Sequence, residues 1–182
     1  AGFYQKGPDM GVKVCLEGIT PESDRMLEEL KIVQTKAFEK EIASIREGGL
    51  KETAHIQWFH VQDRFAPMGV KMIGVFCDTI KNTDDIDPQR YLAGFQIIPN
   101  EIPGFGPIQF NDVKISMRVS AQMEDEIRAG SAMGLDILLP EATHKLGGFS
   151  DACHTLTAAT TVAIGKEEAL IQEMNQILEK QT

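Results

Sequence analysis

The chain has 182 residues, 42% hydrophobic and 25% charged, with a formal net charge of −9, which suits one domain with a real core, or one domain and an appendage. This composition excludes a disordered chain, and its apolar runs, only a few residues long, are too short to span a membrane. The acidic balance argues against a broad polyanion binder, which needs a basic face and draws its strength from counterion release.

Any phosphate binding must therefore be a small, focused site. Even the segment 113–165 sets four basic side chains, Lys114, Arg118, Arg128 and Lys145, against six acidic ones. Cys15, Cys77 and Cys153 lie far apart without a CxxC spacing. They read as reduced thiols of a cytoplasmic protein, neither a disulfide scaffold nor a zinc knuckle. The start, Ala-Gly-Phe-Tyr without Met, runs quickly into GVKVCLEGI and is expected to be the interior of a longer protein.

The first long element is a helix over Pro21–Glu47. Thr20 supplies its N-cap, Pro21 its first position, and Glu22 and Asp24 the negative charge that the dipole favours. Met26, Leu27, Leu30, Val33, Ala37, Phe38, Ile42 and Ile45 recur at helical spacing, and Gly48-Gly49 ends it. At about 40 Å it is longer than a compact domain needs, so it is expected to connect two domains or to form a dimer face.

From Ala54 the texture changes. HIQWFHV (55–61) has strand character, a Pro-Met-Gly turn leads into the apolar helix VKMIGVFCDTI, and Lys81–Arg90 is a polar loop. YLAGFQII (91–98) reads as a strand, and Pro99–Asn111 as a long surface loop. A strand at 113–119, a helical patch at 121–129 and a helix opening near Pro140 follow. A glycine loop then precedes a strand over Thr157–Ile164, and Lys166–Lys180 is the closing helix. This order predicts an α/β fold: a mixed sheet of about five strands flanked by helices, preceded by the long connector helix.

The chemistry concentrates in two places. In VKISMRV the period is two, so Val113, Ile115, Met117 and Val119 face one way and Lys114, Ser116 and Arg118 the other. A hydroxyl and a guanidinium on one strand face can offer a fork of donors to phosphate, although an ordinary half-exposed strand has the same pattern. The second place is LGGFSDACHTLTAATTVAIGKEE (146–168), where Gly147 and Gly148 precede His154. Glycines let backbone N–H groups approach an anion. A packing or capping histidine is the plainer interpretation of His154.

The remaining candidates are weaker. His55 and His60 fall on opposite faces of a strand and cannot ligate one metal together. His144 is placed to cap a helix end. NTDDID (82–87) lacks the glycine and terminal Glu of a calcium loop. Trp58 and Phe59 alternate faces, so at most one could stack on a base, and core packing suits both. Cys153 has no partner placed by spacing to make it a nucleophile.

Taken together, the V-K-x-S-x-R strand and the glycine run ending in His resemble the two marks of the DHH-associated C-terminal domain of RecJ-like phosphoesterases. The resemblance spans roughly 54–180. It aligns Val113, Lys114, Ser116 and Arg118 with the family strand, His154 with the family His, and Thr157-Ala158-Ala159 with the Ala-Ala-Gly that follows it. What it implies is a division at residues 53 and 54, with a connector segment (1–53) and a substrate-binding domain (54–182). Lys114, Ser116, Arg118, Gly147, Gly148 and His154 would hold phosphate. The substrate would be a nucleotide or a single-stranded nucleic-acid end. Hydrolysis would belong to an N-terminal catalytic domain using Mn or Mg, and this chain would carry no catalytic residue, metal ligand or cofactor of its own.

The chain departs from the pattern at Ser150, Asp151, Ala152 and Cys153, where Asp151 sets a negative charge near the presumed anion. That departure keeps an alternative open: a non-catalytic module that has lost phosphate binding and uses its long acidic helix to assemble with partners or as a homodimer.

Overall fold

The computed structural model describes residues 8–102 and 106–180. Among these are six α-helices: α1 (Pro8–Glu17), α2 (Pro21–Gly48), α3 (Met72–Ile80), α4 (Ala121–Arg128), α5 (Leu135–Lys145) and α6 (Glu167–Glu179). The strands are β1 (Lys51–Glu52), β2 (Ile56–His60), β3 (Tyr91–Ile97), β4 (Glu101–Ile102), β5 (Gly106–Pro107), β6 (Asp112–Arg118), β7 (Phe149–His154) and β8 (Thr157–Ala163). Six of them form one sheet in the order β1-β2-β3-β6-β8-β7. Only β2 and β3 pair in parallel; the other neighbours are antiparallel. The expected mixed sheet with flanking helices is thus the fold, with the two-residue β1 as a sixth, edge strand.

The caps of α2 follow the sequence. Thr20 Oγ1 accepts from the Ser23 N–H at 3.2 Å, and Ser23 Oγ accepts from the Thr20 N–H at 2.8 Å, a reciprocal capping box. At the other end Gly49, at φ 74°, donates its N–H to the Ile45 carbonyl. The C-terminal half of α2 is part of the packed body. Ala37, Phe38, Ile42 and Ile45 pack into a core cluster with Phe59, Phe65, Phe76 and Leu92, and Phe38 meets Phe76 at 4.8 Å between ring centroids.

The sheet separates two cores. On one side, Trp58, Ala93, Phe95, Val113, Ile115, Met117, Ala158 and Val162 pack against α4, α5 and α6 through Met123, Leu135, Leu138, Leu139, Leu170 and Met174. On the other, Phe59 and Leu92 pack under α2 and α3. Trp58 and Phe59 therefore do fall on opposite faces and both are core. The alternation in β6 is obeyed as well: its odd-numbered apolar residues enter the first core, and Lys114, Ser116 and Arg118 face the side of α3.

Three expected elements are corrected. The fifth helix opens at Leu135, with Pro140 inside it. Proline removes one helical hydrogen bond, but Leu135, Leu138, Leu139 and Ala142 are all fully buried at helical spacing, and that burial offsets the loss. The stretch expected to be a long loop at 99–111 contains a small hairpin, β4–β5. The glycine loop is not an open loop: residues 149–154 are strand β7, hydrogen-bonded along β8. Its alternation was hidden because β7 is irregular between Ser150 and Ala152.

Candidate functional site

The antiparallel register decides which side chains share a face. Arg118 lies opposite Thr157, and Thr157 opposite His154. Ser116 lies opposite Ala159 and then Ala152; Lys114 lies opposite Thr161 and then Phe149. Directly opposed residues point to the same side of a sheet, so these three rows form one strip across β6, β8 and β7. Arg118 and His154, far apart in sequence, stand on one row with their Cα atoms about 10 Å apart, two strand spacings.

Helix α3 covers β3 and the near side of β6, and it ends the cover there. Its Gly74 sits directly over the polar pair: a Cβ at that position would lie 3.0 Å from Arg118 Nη2 and 3.1 Å from Ser116 Oγ. Beneath it, Arg118 Nη1 donates to Ser116 Oγ at 3.0 Å and to the Met117 carbonyl at 2.8 Å. The Cys77 thiol, on the same helix, donates to the Ser116 carbonyl at 3.7 Å, and burial pushes its pKa up to about 12. Past α3 the strip opens. Thr157, Ala159 and Thr161 are half-buried, and Ala152 and His154 are exposed.

Both cations of β6 already have acidic neighbours. Arg118 Nε is 2.9 Å from Asp78 Oδ1, an ion contact whose N–H is not aligned as a hydrogen bond. Lys114 pairs with Asp151, and that partner holds the Asp151 carboxyl below the usual carboxylate range. Asp151 reaches Lys114 because it is the residue skipped in the register between Ser150 and Ala152; an extra residue of this kind re-aims its side chain. Lys71, exposed at the start of α3, adds a further positive charge toward Asp151.

The sequence-predicted site residues are thus partly brought together. Lys114, Ser116, Arg118 and His154 share the strip. Gly147 and Gly148 serve the end of α5: Gly147, at φ 72°, donates its N–H to the His144 carbonyl, and Gly148 donates to that of Thr143. A Cβ on Gly148 would lie 2.5 Å from the Thr161 carbonyl oxygen, so the second glycine lets helix and strand pack closely. Their N–H groups are engaged in ending a helix, so these two glycines form no anion cradle. Asp78, Gly74 and Lys71 were missed by sequence reasoning. A glycine inside the apolar helical run, unfavourable there by about 1 kcal/mol against alanine, was the available signal.

Two other hollows offer no comparable set of donors. One of about 740 Å³ is lined by His55, Tyr91, Glu126, Met133 and Ile137 among others, with no Lys or Arg in its lining. In another, of about 350 Å³, Arg64 is held by the buried Glu41 carboxylate through two hydrogen bonds of 2.8 Å. His144 Nε2 lies 3.1 Å from Ser150 Oγ, bridging the end of α5 to β7. Among the described residues, no group of three or more His, Cys, Asp or Glu is arranged to hold a metal ion, and no helix is long and apolar enough to cross a membrane.

What fold and strip define is a mixed α/β domain whose polar sheet face is half covered. No family model matches the sequence, and no curated protein does. Among solved structures, the chain is similar to the C-Ala domain of alanyl-tRNA synthetase from Aquifex aeolicus. That likeness has a TM-score of 0.48 and 9% identity, over 71% of this chain and 96% of that one. It is also similar to a DHH-domain protein described as a member of a family of ribosomal proteins, with a TM-score of 0.48 and 14% identity over 98% of this chain. The chain spans 35% of that protein's length. The functional reading rests on this chain's own residues.

Proposed function

We propose that this chain is the substrate-gripping C-terminal domain of a RecJ-like DHH phosphoesterase. It would hold a nucleotide phosphate or a single-stranded nucleic-acid end for hydrolysis by an N-terminal domain of the same polypeptide, in the cytoplasm. That N-terminal domain would supply the Mn or Mg ions, and the boundary would fall near residues 53 and 54. The observation that supports this most is the shared row of Arg118, Thr157 and His154, with Ser116 hydrogen-bonded to Arg118 beside it. A guanidinium at the rim of α3 beside a half-buried hydroxyl and an exposed imidazole lines up donors along one row, which suits a phosphate. An incoming anion would displace Asp78 and Asp151 from their cations. That exchange favours a doubly charged phosphate over a carboxylate.

The test is titration with short single-stranded DNA, RNA and mononucleotides at two salt concentrations. Arg118→Ala and His154→Ala should each weaken binding several-fold, and binding should fall as salt rises. Equal affinity in wild type and both variants would refute the reading.

One observation favours a second reading, an assembly module. Val12, Leu16 and Ile19 on and after α1, and Leu27, Ile32 and Val33 on α2, are exposed apolar side chains. Concentration-dependent dimerisation that is lost in Leu27→Glu/Val33→Glu, together with no anion binding, would favour it.

A further inference from the structure

Phe149, the first residue of β7, is 71% exposed. Its partner in the register is Thr161, whose own partner is Lys114. Phe149 therefore stands on the same face of the sheet as the buried Lys114 and Ser116, the mostly buried Arg118 at the rim of α3 and the exposed His154, at the opposite end of the strip from Arg118. The separation along the strand direction is four residues, about 13 Å. The Lys114–Asp151 pair bridges β6 and β7 across β8, and the floor between the two ends consists of the exposed Ala152 and the half-buried Thr157, Ala159 and Thr161. These are small or hydroxyl-bearing side chains that leave room for a flat ligand.

A buried protein contact would need a contiguous apolar patch around the ring. The surroundings are different: Lys114, Asp151 and the threonines adjoin it in the register, and the exposed Phe110 and Ile164 lie beyond the Asp112–Ala163 pair that closes the sheet. An exposed ring at one end of a strip whose cations lie along its edge matches the way single strands are held, bases on aromatic faces and phosphates on basic side chains. About 13 Å is roughly four times the ~3.4 Å rise per nucleotide along a strand, so a short run of stacked nucleotides spans the strip.

We infer that Phe149 is a stacking platform for a base, and that the ligand of this strip is a single-stranded oligonucleotide running from Phe149 to Arg118. This rests on the phosphate-binding reading above and adds to it the ligand's class and length.

Fluorescence anisotropy on the chain, with three probes at low and moderate salt, tests it: a short oligothymidylate, a base-free strand of the same length, and inorganic pyrophosphate as competitor. Phe149→Ala should weaken oligothymidylate about tenfold, within the range for loss of one stacked base. It should leave the base-free strand and pyrophosphate unchanged, and Phe149→Trp should retain affinity. Arg118→Ala should weaken all three. If Phe149→Ala binds oligothymidylate like wild type while Arg118→Ala does not, the stacking role is overturned and the phosphate site stands. An equal loss on the base-free strand overturns the stacking role too. So does a Phe149→Ala variant that changes only self-association in light scattering. No binding of any probe by the wild type overturns both readings.

Discussion

The polar face of the sheet has a covered half and an open half, and Lys114, Ser116 and Arg118 lie on the border between them. Over β2 and β3, helices α2 and α3 seal the face with Phe38 and Phe76, joined by Phe65 from the segment before α3, and the sheet answers with Phe59 and Leu92. Over β8 and β7 no helix seals it: the sheet presents the half-buried Thr157, Ala159 and Thr161 and the exposed His154, with the Lys114–Asp151 pair bridging β6 and β7 across β8. Both halves use the same two-residue alternation. What differs is where α3 stops, and the residues at that limit, Gly74 and Asp78, lie against Arg118 from above. A binding strip arises here where a core is left half closed.

The largest effect that could break this division is on stability. Phe76→Ala should cost about 3–5 kcal/mol, as expected for a buried phenylalanine in an aromatic cluster. Phe149→Ala should stay within about 0.5 kcal/mol, as for an exposed site. Urea midpoints measure both, and similar losses would mean that the open half is not open. Next comes thiol reactivity. With its pKa raised to about 12, Cys77 holds on the order of a thousandfold less thiolate at pH 8 than an ordinary thiol near 8.5. It should resist labelling until the chain unfolds, whereas the exposed Cys15 should react first. A raised thiol pKa also contributes stability that is fully present below the ordinary value and lost as pH climbs toward 12, so the urea midpoint should fall over that window.

Smaller effects sharpen the border itself. Gly74→Ala gains helix propensity of about 1 kcal/mol but sets a methyl group 3.0 Å from Arg118 Nη2. The variant should fold and lose roughly fivefold in oligonucleotide affinity, about 1 kcal/mol; unchanged affinity would show that Arg118 moves freely. The smallest change is expected for Asp151→Asn. Freeing Lys114 should raise anion affinity about two- to fivefold, the range of a partly exposed ion pair. Because the Asp151 carboxyl is held below its usual range, its pairing is present above about pH 4 and is lost as pH falls through the depressed value. Wild-type binding should therefore gain nothing from this carboxylate between pH 7 and 5. Calorimetric titration at both pH values checks this.

Much of the architecture was legible because it is local. Thr20, Pro21 and Gly49 bound α2 through hydrogen bonds made within a few residues. The alternation of VKISMRV sets the facing of β6 wherever that strand sits, since side-chain direction follows from backbone geometry alone. The same logic separates Trp58 from Phe59. Strand β7 was not legible, because its period is broken at Asp151 and only pairing with β8 reveals the break. Gly147 and Gly148 look like an anion cradle in one dimension, yet their N–H groups serve the end of α5.

The sequence by itself determined the class of fold, the caps of the long helix, and which residues of β6 face away from the hydrophobic core. All of these depend on residues adjacent in the chain. Tertiary structure alone decided that Arg118 and His154 share a row, that Asp78 and Asp151 sit against the two cations, and that Phe149 stands at the end of the strip. Those facts depend on strand register and on the length of α3, which long-range pairing and packing set and no local pattern encodes.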